Sequence, residues 1–434
     1  MPTLAPFRGW RYDPDKEDLD RVLAPPYDVI DPEEQAALYA RDPHNVVRLV
    51  LGLQYAEDNE ADNRYIRAAG HLAAWQQQGV LVQDPPALYA CEQTFSFQGR
   101  EHRRRGLFAR VRLEPFGAGS VFPHERTLSG PKQDRLELMR ACRGNLSPVF
   151  GLLTDSGNTV RDRLEQVAQT PPTIDVADDS SGRTRMWTLT EAQAAADLCR
   201  AAGPEKVYIA DGHHRYETAL NYRDEVRRGF TEAGAEPPAE GEHPADWVLM
   251  MCVPVTDPGL VIGPTHRLVH DVADFAAQRL LDGLAERFEV APASADAVRE
   301  ALSRTGPPPA FGLAVGTDLY LARLRDAGAM DARAPDKPPA WRRLDVAALH
   351  LLVLEDLLGV DEGKLLRKEN VDYARDLDAA LARAREDEAV QCAFLVRPTT
   401  MDEVRAVSES GEVMPQKSTF FFPKIPSGLV LNLF

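Results

Sequence analysis

Residues 207–217 of this chain read Val-Tyr-Ile-Ala-Asp-Gly-His-His-Arg-Tyr-Glu, a short β-prone run that passes through a turn into a helix. Residues 207–210 are the predicted strand, and Asp211-Gly212 is the turn. Apolar residues then recur at helical spacing from His214 until Gly229, where we expect the helix to end. A helix N-terminus offers unpaired backbone N–H groups and the positive end of the helix dipole, which together favour an anion. The run therefore predicts a phosphate-binding turn.

The side chains of this turn carry chemistry that suits phosphate. A guanidinium can donate two parallel hydrogen bonds to one phosphate, so Arg215 is expected to hold it together with Gly212, His213 and His214. Asp211, with His213 beside it, is the candidate to orient or deprotonate a substrate hydroxyl. The structural alternative is an aspartate N-cap followed by surface histidines.

Composition excludes several classes of protein. The chain has 434 residues, 44% of them hydrophobic and 27% charged, which is enough for two or three domains with their own cores. The net charge of −17 argues against specific DNA binding and against binding to anionic membranes. Five scattered cysteines without CxxC spacing indicate neither a disulfide framework nor a zinc site. With no signal peptide and no long apolar run, we expect a cytoplasmic protein of undetermined oligomeric state.

Predicted helices and strands alternate along the chain, which indicates a mixed α/β (α+β) fold. A hairpin is expected where two alternating runs flank Gln98-Gly99. We expect residues 1–270 to form a core that carries the phosphate turn. Residues 271–434 would form an additional α/β portion, whose segment 414–424 could return to the site. The predicted helices cover residues 31–41, 60–78, 159–169, 190–202, 272–288, 294–304, 344–358 and 377–386, and the predicted strands cover 88–97, 103–113, 145–153, 247–255, 310–315, 319–324 and 389–396.

Two further segments are rich in polar functional groups. His124-Glu125 precedes Lys132 by one short loop, so Glu125 could act as a general base and Lys132 could neutralise phosphate. A solvated charged loop is the alternative. Tyr27-Asp28 follows two rigid prolines, which suits the wall of a substrate site shared with His124, although a plain structural turn explains it equally well.

Residues 414–424 read Met-Pro-Gln-Lys-Ser-Thr-Phe-Phe-Phe-Pro-Lys. The Lys417-Ser418-Thr419 triplet is similar to the end of a Walker A loop, but the preceding glycines are missing, so the P-loop motif is absent. Lys417 and Lys424 could still neutralise phosphate, with Ser418 and Thr419 offering hydroxyls. A C-terminal core strand is the alternative. No dedicated metal site is expected, whereas Mg²⁺ carried in by a nucleotide fits the predicted chemistry.

Several separated blocks resemble a bacterial family known as the domain of unknown function 1015. The blocks are Pro-Pro-Tyr-Asp at 25–28, His124-Glu125 with Lys132 and Asp134-Arg135, Asn145-Leu146-Ser147-Pro148, residues 210–219 and residues 414–424. The match runs nearly from end to end, but the family name alone implies no reaction.

The turn itself resembles the Gly-x-His-Arg box of the ParB/sulfiredoxin superfamily. Its nearest counterpart is the Asp-Gly-His-Thr-Arg box of ADP-dependent free-serine kinases, which Asp211, Gly212, His213 and Arg215 match and His214 does not. The resemblance implies a ParB/sulfiredoxin-like core that binds nucleotide phosphates at the box. Sulfiredoxin chemistry is disfavoured because His213 stands where those enzymes have their catalytic cysteine. ParB function is disfavoured by the acidic composition and by the lack of a basic recognition helix.

The resulting prediction is a phosphotransferase acting between a nucleotide (ATP or ADP) or phosphate and a small hydroxylated metabolite, for which the kinase resemblance implies free serine. Phosphoryl transfer asks a protein chiefly for positioning and charge neutralisation, which these residues can supply. Two alternatives stay open. One is a nucleotide-binding regulatory or switch protein without metabolic turnover, and the other is a hydrolase similar to a phosphoserine phosphatase.

Overall fold

The computed structural model describes residues 2–127, 129–178, 182–367 and 369–434. Strands β1–β21 are, in chain order, Leu4–Ala5, Trp10–Tyr12, Leu81–Gln83, Leu88–Phe97, Arg100–Arg112, Val121–Phe122, Gly144–Asn145, Val149–Leu153, Ile174–Asp178, Gly182–Leu189, Val207–Asp211, Trp247–Pro254, Val261–Gly263, His266–His270, Phe288–Pro292, Ala310–Val315, Asp318–Leu324, Val371–Ala374, Val390–Val396, Phe420–Phe422 and Asn432–Leu433.

Helices α1–α16 are, in chain order, Leu19–Val22, Pro32–Arg41, Val47–Val50, Arg64–Gln78, Ser129–Cys142, Thr159–Val167, Ala192–Ala202, His213–Glu232, Ala277–Arg287, Ala295–Ser303, Gly328–Arg333, Pro339–Arg342, Asp345–Ala348, Glu362–Leu366, Leu377–Glu386 and Met401–Glu409. A 3₁₀ turn spans Pro244–Asp246, and a π-helix spans Leu349–Glu355 directly after α13. The mixed α/β class predicted from the sequence is confirmed.

The chain divides into two compact units. Unit 1 comprises Met1–Pro123, Thr127–Leu260 and Pro423–Phe434, and unit 2 comprises His124–Arg126 and Val261–Phe422. The main sheet of unit 1 has the strand order β6-β11-β8-β12-β5-β4-β10-β9, with β1 added on β5. The main sheet of unit 2 has the order β15-β17-β16-β19-β14-β18, and its neighbouring strands are antiparallel.

Strand β11 lies inside the sheet of unit 1, parallel to β6 and antiparallel to β8. Its residues Val207, Tyr208 and Ile209 are completely buried, and so is Tyr216 on the following helix α8. Burying apolar surface stabilises the fold by about 25 cal/mol per Å². The end of β11 and the start of α8 are therefore fixed by the core on both sides of the turn.

Local signals predicted several elements closely. The hairpin of β4 and β5 turns at Gln98 and Gly99, whose φ angles are 49° and 73°. Positive φ at both central residues is the geometry of a tight two-residue hairpin turn. Helix α4 ends at Gly79, which adopts a left-handed φ of 67° as the C-cap.

Other elements differ from the prediction. Helix α8 does not end at Gly229 but continues to Glu232, because an interior glycine only weakens a helix that tertiary packing supports. The predicted strand at 145–153 is interrupted between β7 and β8, where Pro148 has no N–H to donate to a ladder. Residues 326–343, for which no element was predicted, contain helices α11 and α12. Strands β9 and β10 and helix α16 were not predicted.

Within the described residues, no helix combines the length and the apolar composition needed to cross a bilayer.

Two glycine-to-alanine changes should shift stability in opposite directions. Gly99→Ala places a Cβ at positive φ in open space, so the cost is conformational, about 1 kcal/mol. Gly229→Ala adds a Cβ in open space inside α8 and should stabilise the protein by about 0.5–1 kcal/mol. The measurement is the urea midpoint of unfolding for each variant. An increase in the midpoint for Gly99→Ala would contradict the hairpin geometry.

Candidate functional site

The turn between β11 and α8 requires glycine. Gly212 has a φ of 88°, and a Cβ at this position would lie 3.0 Å from Cζ and from Nε of Arg215. Both observations exclude an L side chain, because the backbone would be strained and the guanidinium would be displaced. Gly212 thus lets the Arg215 side chain fold back against the turn. Helix α8 has 20 residues, and no side chain accepts a hydrogen bond as its N-cap in the described part of the chain.

Asp211 binds two cations. Its Oδ2 accepts a hydrogen bond from Nη2 of Arg215 at 2.6 Å, and its Oδ1 accepts one from Nζ of Lys424. Burial by itself would raise the pKa of Asp211, but Lys424 and Arg215 outweigh burial and hold the pKa well below its usual range. The carboxylate is therefore ionised at neutral pH. One negative charge faces two positive charges, so the turn keeps an excess of positive charge.

The Nε–H donor of Arg215 is not used in the contacts of its side chain with the described residues. Nη1 donates to the carbonyl of Pro148 and Nη2 donates to Asp211. Nε is buried and has no acceptor among the described residues. Burial would lower the pKa of Arg215, but Asp211, Asp28 and Tyr27 more than offset it and the pKa is raised. The guanidinium therefore stays charged, and its buried Nε–H has no acceptor among the described residues.

A cleft that opens to solvent lies beside this guanidinium in unit 1. Its polar lining residues are Tyr27, Arg135, Asn145, Ser147, Arg215 and Thr218. These come from four of the sequence blocks that define the family resemblance, and the outermost two, Tyr27 and Thr218, are 191 positions apart in the chain. The fold thus brings distant motif residues to one place.

A second guanidinium forms part of the cleft wall. Cζ of Arg135 lies 3.9 Å from the ring centroid of Tyr27, which is a cation–π contact. Nη1 of Arg135 donates to the carbonyl of Val50 at 2.7 Å, and its Nε and Nη2 donate to Asp134. Arg135 is 8% exposed, so its position is set by these contacts. Asp28, next to Tyr27, is exposed.

Lys132 is held against α8 by the carboxylate of Glu217, a residue that was not predicted to belong to the site. Glu217 Oε1 accepts from Nζ of Lys132 at 2.9 Å, and Oε2 accepts from the hydroxyl of Thr127. Burial would raise the pKa of Glu217, but Thr127, Lys132 and His214 lower it further than burial raises it. His213 is 4% exposed and contributes to the low pKa of Asp211. The two histidines thus act on different carboxylates.

The remaining predicted residues belong to unit 2. Nε2 of His124 lies 2.8 Å from the hydroxyl oxygen of Thr419, and the carbonyl of His124 accepts from the Met414 amide at 2.9 Å. The Ser418 hydroxyl donates to the carbonyl of Pro415 at 2.5 Å, and the Lys417 carbonyl accepts from Arg267. The backbone and hydroxyl groups of these residues therefore make contacts inside unit 2. Glu125, also in this unit, is partly exposed.

Sequence reasoning missed cleft residues whose signal was present. Arg135 and Ser147 belong to blocks that carry the family resemblance. Glu217, the partner of Lys132, is the last residue of the run 207–217 that contains the turn. Thr218 offers no such signal, because a threonine inside a helix is ordinary. The pairing of Lys424 with Asp211 joins residues 213 positions apart and could not be read from local spacing.

The ion pairs at Asp211 predict a pH-dependent stability. Asp211→Asn should lower the free energy of unfolding by about 3 kcal/mol at neutral pH, because two mostly buried cations lose their anion. The folded pKa is lowered, so the carboxylate contributes fully above about pH 4, the pKa of an unfolded aspartate, and this contribution is lost as the pH falls through the folded pKa.

Urea unfolding of both proteins between pH 7 and pH 2 checks this. The difference in stability should be constant at the upper end and shrink below about pH 4. Asp224→Asn, on helix α8, is the control, because Asp224 is 51% exposed in its pair with Arg223 and should change stability by less than about 1 kcal/mol. A difference that persists unchanged at pH 2 would count against the ion pairs.

Comparison with known proteins gives a family and several similar structures. No curated protein matches the chain by sequence. A conserved hypothetical protein from Pyrococcus furiosus superposes with a TM-score of 0.34 at 15% identity, covering 72% of this chain and 92% of its own. A free serine kinase in complex with AMP gives 0.34 at 14% identity, covering 71% and 89%. SbnI with a C-terminal truncation, from Staphylococcus aureus, gives 0.34 at 10% identity, covering 75% and 87%. The family described as "Protein of unknown function (DUF1015)" matches residues 4–347, and this chain belongs to that family.

Proposed function

We propose that unit 1 binds the phosphate groups of a nucleotide, ATP or ADP, at the N-terminus of α8. The phosphoryl group would move between this nucleotide and a small hydroxylated metabolite, with free serine as the first acceptor to test. We further propose that unit 1 contains the ParB/sulfiredoxin-like core that the box of the turn implies. The observation that carries the proposal is the convergence of motif residues on the cleft beside Arg215.

The charge of the cleft supports an anionic ligand. Arg135 and Arg215 both line it, and no carboxylate is among its described lining residues. Nε of Arg215 is a buried donor without an acceptor, and leaving such a donor unsatisfied costs about 1–3 kcal/mol. A phosphate oxygen would satisfy it. The start of α8, at which no described side chain accepts a capping hydrogen bond, adds the positive end of the helix dipole.

The surrounding residues divide into binding and positioning roles. Arg215 and the first turn of α8, with Gly212, His213 and His214, would bind phosphate, and Lys424 and Lys132 would neutralise it. We propose that Asp211 positions Arg215 and Lys424 and is not the general base, because a base works best with a pKa near the working pH and that of Asp211 is far lower. The roles predicted for Glu125, His124, Lys417, Ser418 and Thr419 in unit 2 stay predictions.

The donor set of the cleft does not fit a protein-bound magnesium ion. Mg²⁺ is usually held by one or two carboxylates together with phosphate oxygens. The described lining has no carboxylate, and both oxygens of Asp211 already accept from cations. Any Mg²⁺ would have to be held by the nucleotide itself.

Thiol chemistry has no support in unit 1. Burial raises the pKa of Cys91, Cys142 and Cys252 to about 12, so these thiols are protonated at neutral pH. No cysteine is among the described residues that line the cleft. Sulfiredoxin-like repair, already disfavoured by His213, therefore finds no nucleophile at the turn.

Phosphate binding should depend on Arg215. Isothermal titration calorimetry of the full chain with ADP and with ATP measures this. The Kd of Arg215→Ala for each nucleotide should be at least about tenfold higher than that of the unchanged protein, because a charged donor contributes about 1.5–3 kcal/mol. Arg215→Lys keeps the charge and the pairing with Asp211 but removes Nε, so it separates loss of the donor from loss of folding.

The matched control is Arg228→Ala, an exposed arginine on the same helix. It should bind nucleotide like the unchanged protein, and circular dichroism should show that all variants are folded. Equal nucleotide affinity in folded Arg215→Lys, Arg215→Ala and the unchanged protein would refute the phosphate site.

A binding-only role is the second candidate. The described lining of the cleft contains no carboxylate and no imidazole that could take a proton from a hydroxyl. This favours a nucleotide-binding switch without turnover. Phosphorus NMR of the full chain with ATP or ADP and serine distinguishes the two: phosphoserine should form if the protein is a phosphotransferase. Saturable nucleotide binding with unchanged phosphorus signals would establish the switch, and phosphate release from phosphoserine without nucleotide would point to a hydrolase.

A further inference from the structure

Unit 2 contains a cleft of about 1000 Å³ that the proposed function does not use. One wall is apolar and includes Trp341, Leu351 and Met414. Trp341 is 7% exposed, and its Nε1 donates to the carbonyl of Val413 at 3.0 Å, so the ring is held in place. Clefts that combine an apolar wall with a few polar groups are typical small-molecule sites.

The charged groups of this cleft balance one another. Three cations, Arg126, Arg333 and Lys337, and three carboxylates, Asp336, Glu355 and Glu362, line it, so the lining side chains themselves carry equal numbers of positive and negative charges. Nη2 of Arg333 lies 2.7 Å from Oε1 of Glu355, and Nη1 of Arg126 lies 3.6 Å from Oε1 of Glu362. Nζ of Lys337 lies 2.7 Å from Glu412. A ligand with a large net charge would leave one sign unpaired.

His350 presents a hydrogen-bond donor to the cleft. It is 9% exposed and lies in the π-helix Leu349–Glu355, a type of helix that is frequent at functional sites. Nη2 of Arg267 lies 3.3 Å from its Nε2, and the guanidinium can only donate, so Nε2 is the acceptor and the proton is on Nδ1. Burial and the charge of Arg267 lower the pKa of His350, so the ring is neutral. No described residue accepts from Nδ1.

We infer that this cleft binds a small zwitterion with an apolar body, of the class of an apolar or aromatic amino acid. The ligand carboxylate accepts from Nδ1–H of His350. Its ammonium group lies against the carboxylates of the wall, and its side chain packs on Trp341 and Met414. A zwitterion leaves the neutral charge balance of the wall unchanged. The inference does not depend on nucleotide binding by unit 1.

Calorimetric titration of the full chain with L-phenylalanine and L-leucine tests the inference. We expect saturable binding of at least one of them. Analogues that lack one of the two charges should bind at least about tenfold more weakly, because each loses a charged hydrogen bond. For L-phenylalanine these analogues are 3-phenylpropanoate and 2-phenylethylamine, and for L-leucine they are 4-methylpentanoate and 3-methylbutylamine.

Two variants address the site directly. His350→Ala removes the donor, and Leu351→Trp fills the cleft from a partly exposed position, so the second keeps the test valid if the first is unstable. Each should weaken binding at least about tenfold. His270→Ala, a histidine of unit 2 outside the cleft lining, and Arg215→Ala in unit 1 should leave it unchanged. Absence of binding, equal binding of the analogues, or unchanged binding in folded His350→Ala and Leu351→Trp would each overturn the inference.

Discussion

The carboxylate of Asp211 is the interaction on which the architecture of unit 1 depends. It joins the last residue of β11 to Arg215 in the first turn of α8 and to Lys424 near the end of the chain. Two cations this close would repel each other in a poorly solvated site unless an anion lay between them. The carboxylate therefore permits a concentration of positive charge that still exceeds its own. That excess is the property a phosphate ligand requires.

The sequence predicted elements whose cause is local. Gly212 and the charged residues after it indicated the turn, and Gln98-Gly99 indicated the hairpin, because few residue types adopt positive φ angles readily. Packing decided the rest. Helix α8 runs through Gly229 because buried residues earlier in the helix hold it, and the π-helix at Leu349 follows no periodic pattern. Part of the cleft lining could be predicted, because Arg135 belongs to one of the blocks that resemble the family. Its contact with Tyr27 could not, because that contact depends on the tertiary fold.

The two clefts differ in the charged side chains that line them. In unit 1, two guanidinium groups line the cleft, and no carboxylate is among its described lining residues. In unit 2, cations and carboxylates are equal in number, so selectivity must come from where each charge lies and from the aromatic wall.

The discontinuity of unit 1 has a consequence for the order of assembly. Residues Pro423–Phe434 complete unit 1 after all of unit 2 has been synthesised. At about 5–20 residues per second, roughly 10 to 40 s separate the synthesis of Asp211 from that of Lys424. During this interval, Asp211 and Arg215 balance each other and the turn has no excess positive charge. The second cation at Asp211 is therefore available only once residue 424 has been synthesised, well after the strand and the helix that form the turn.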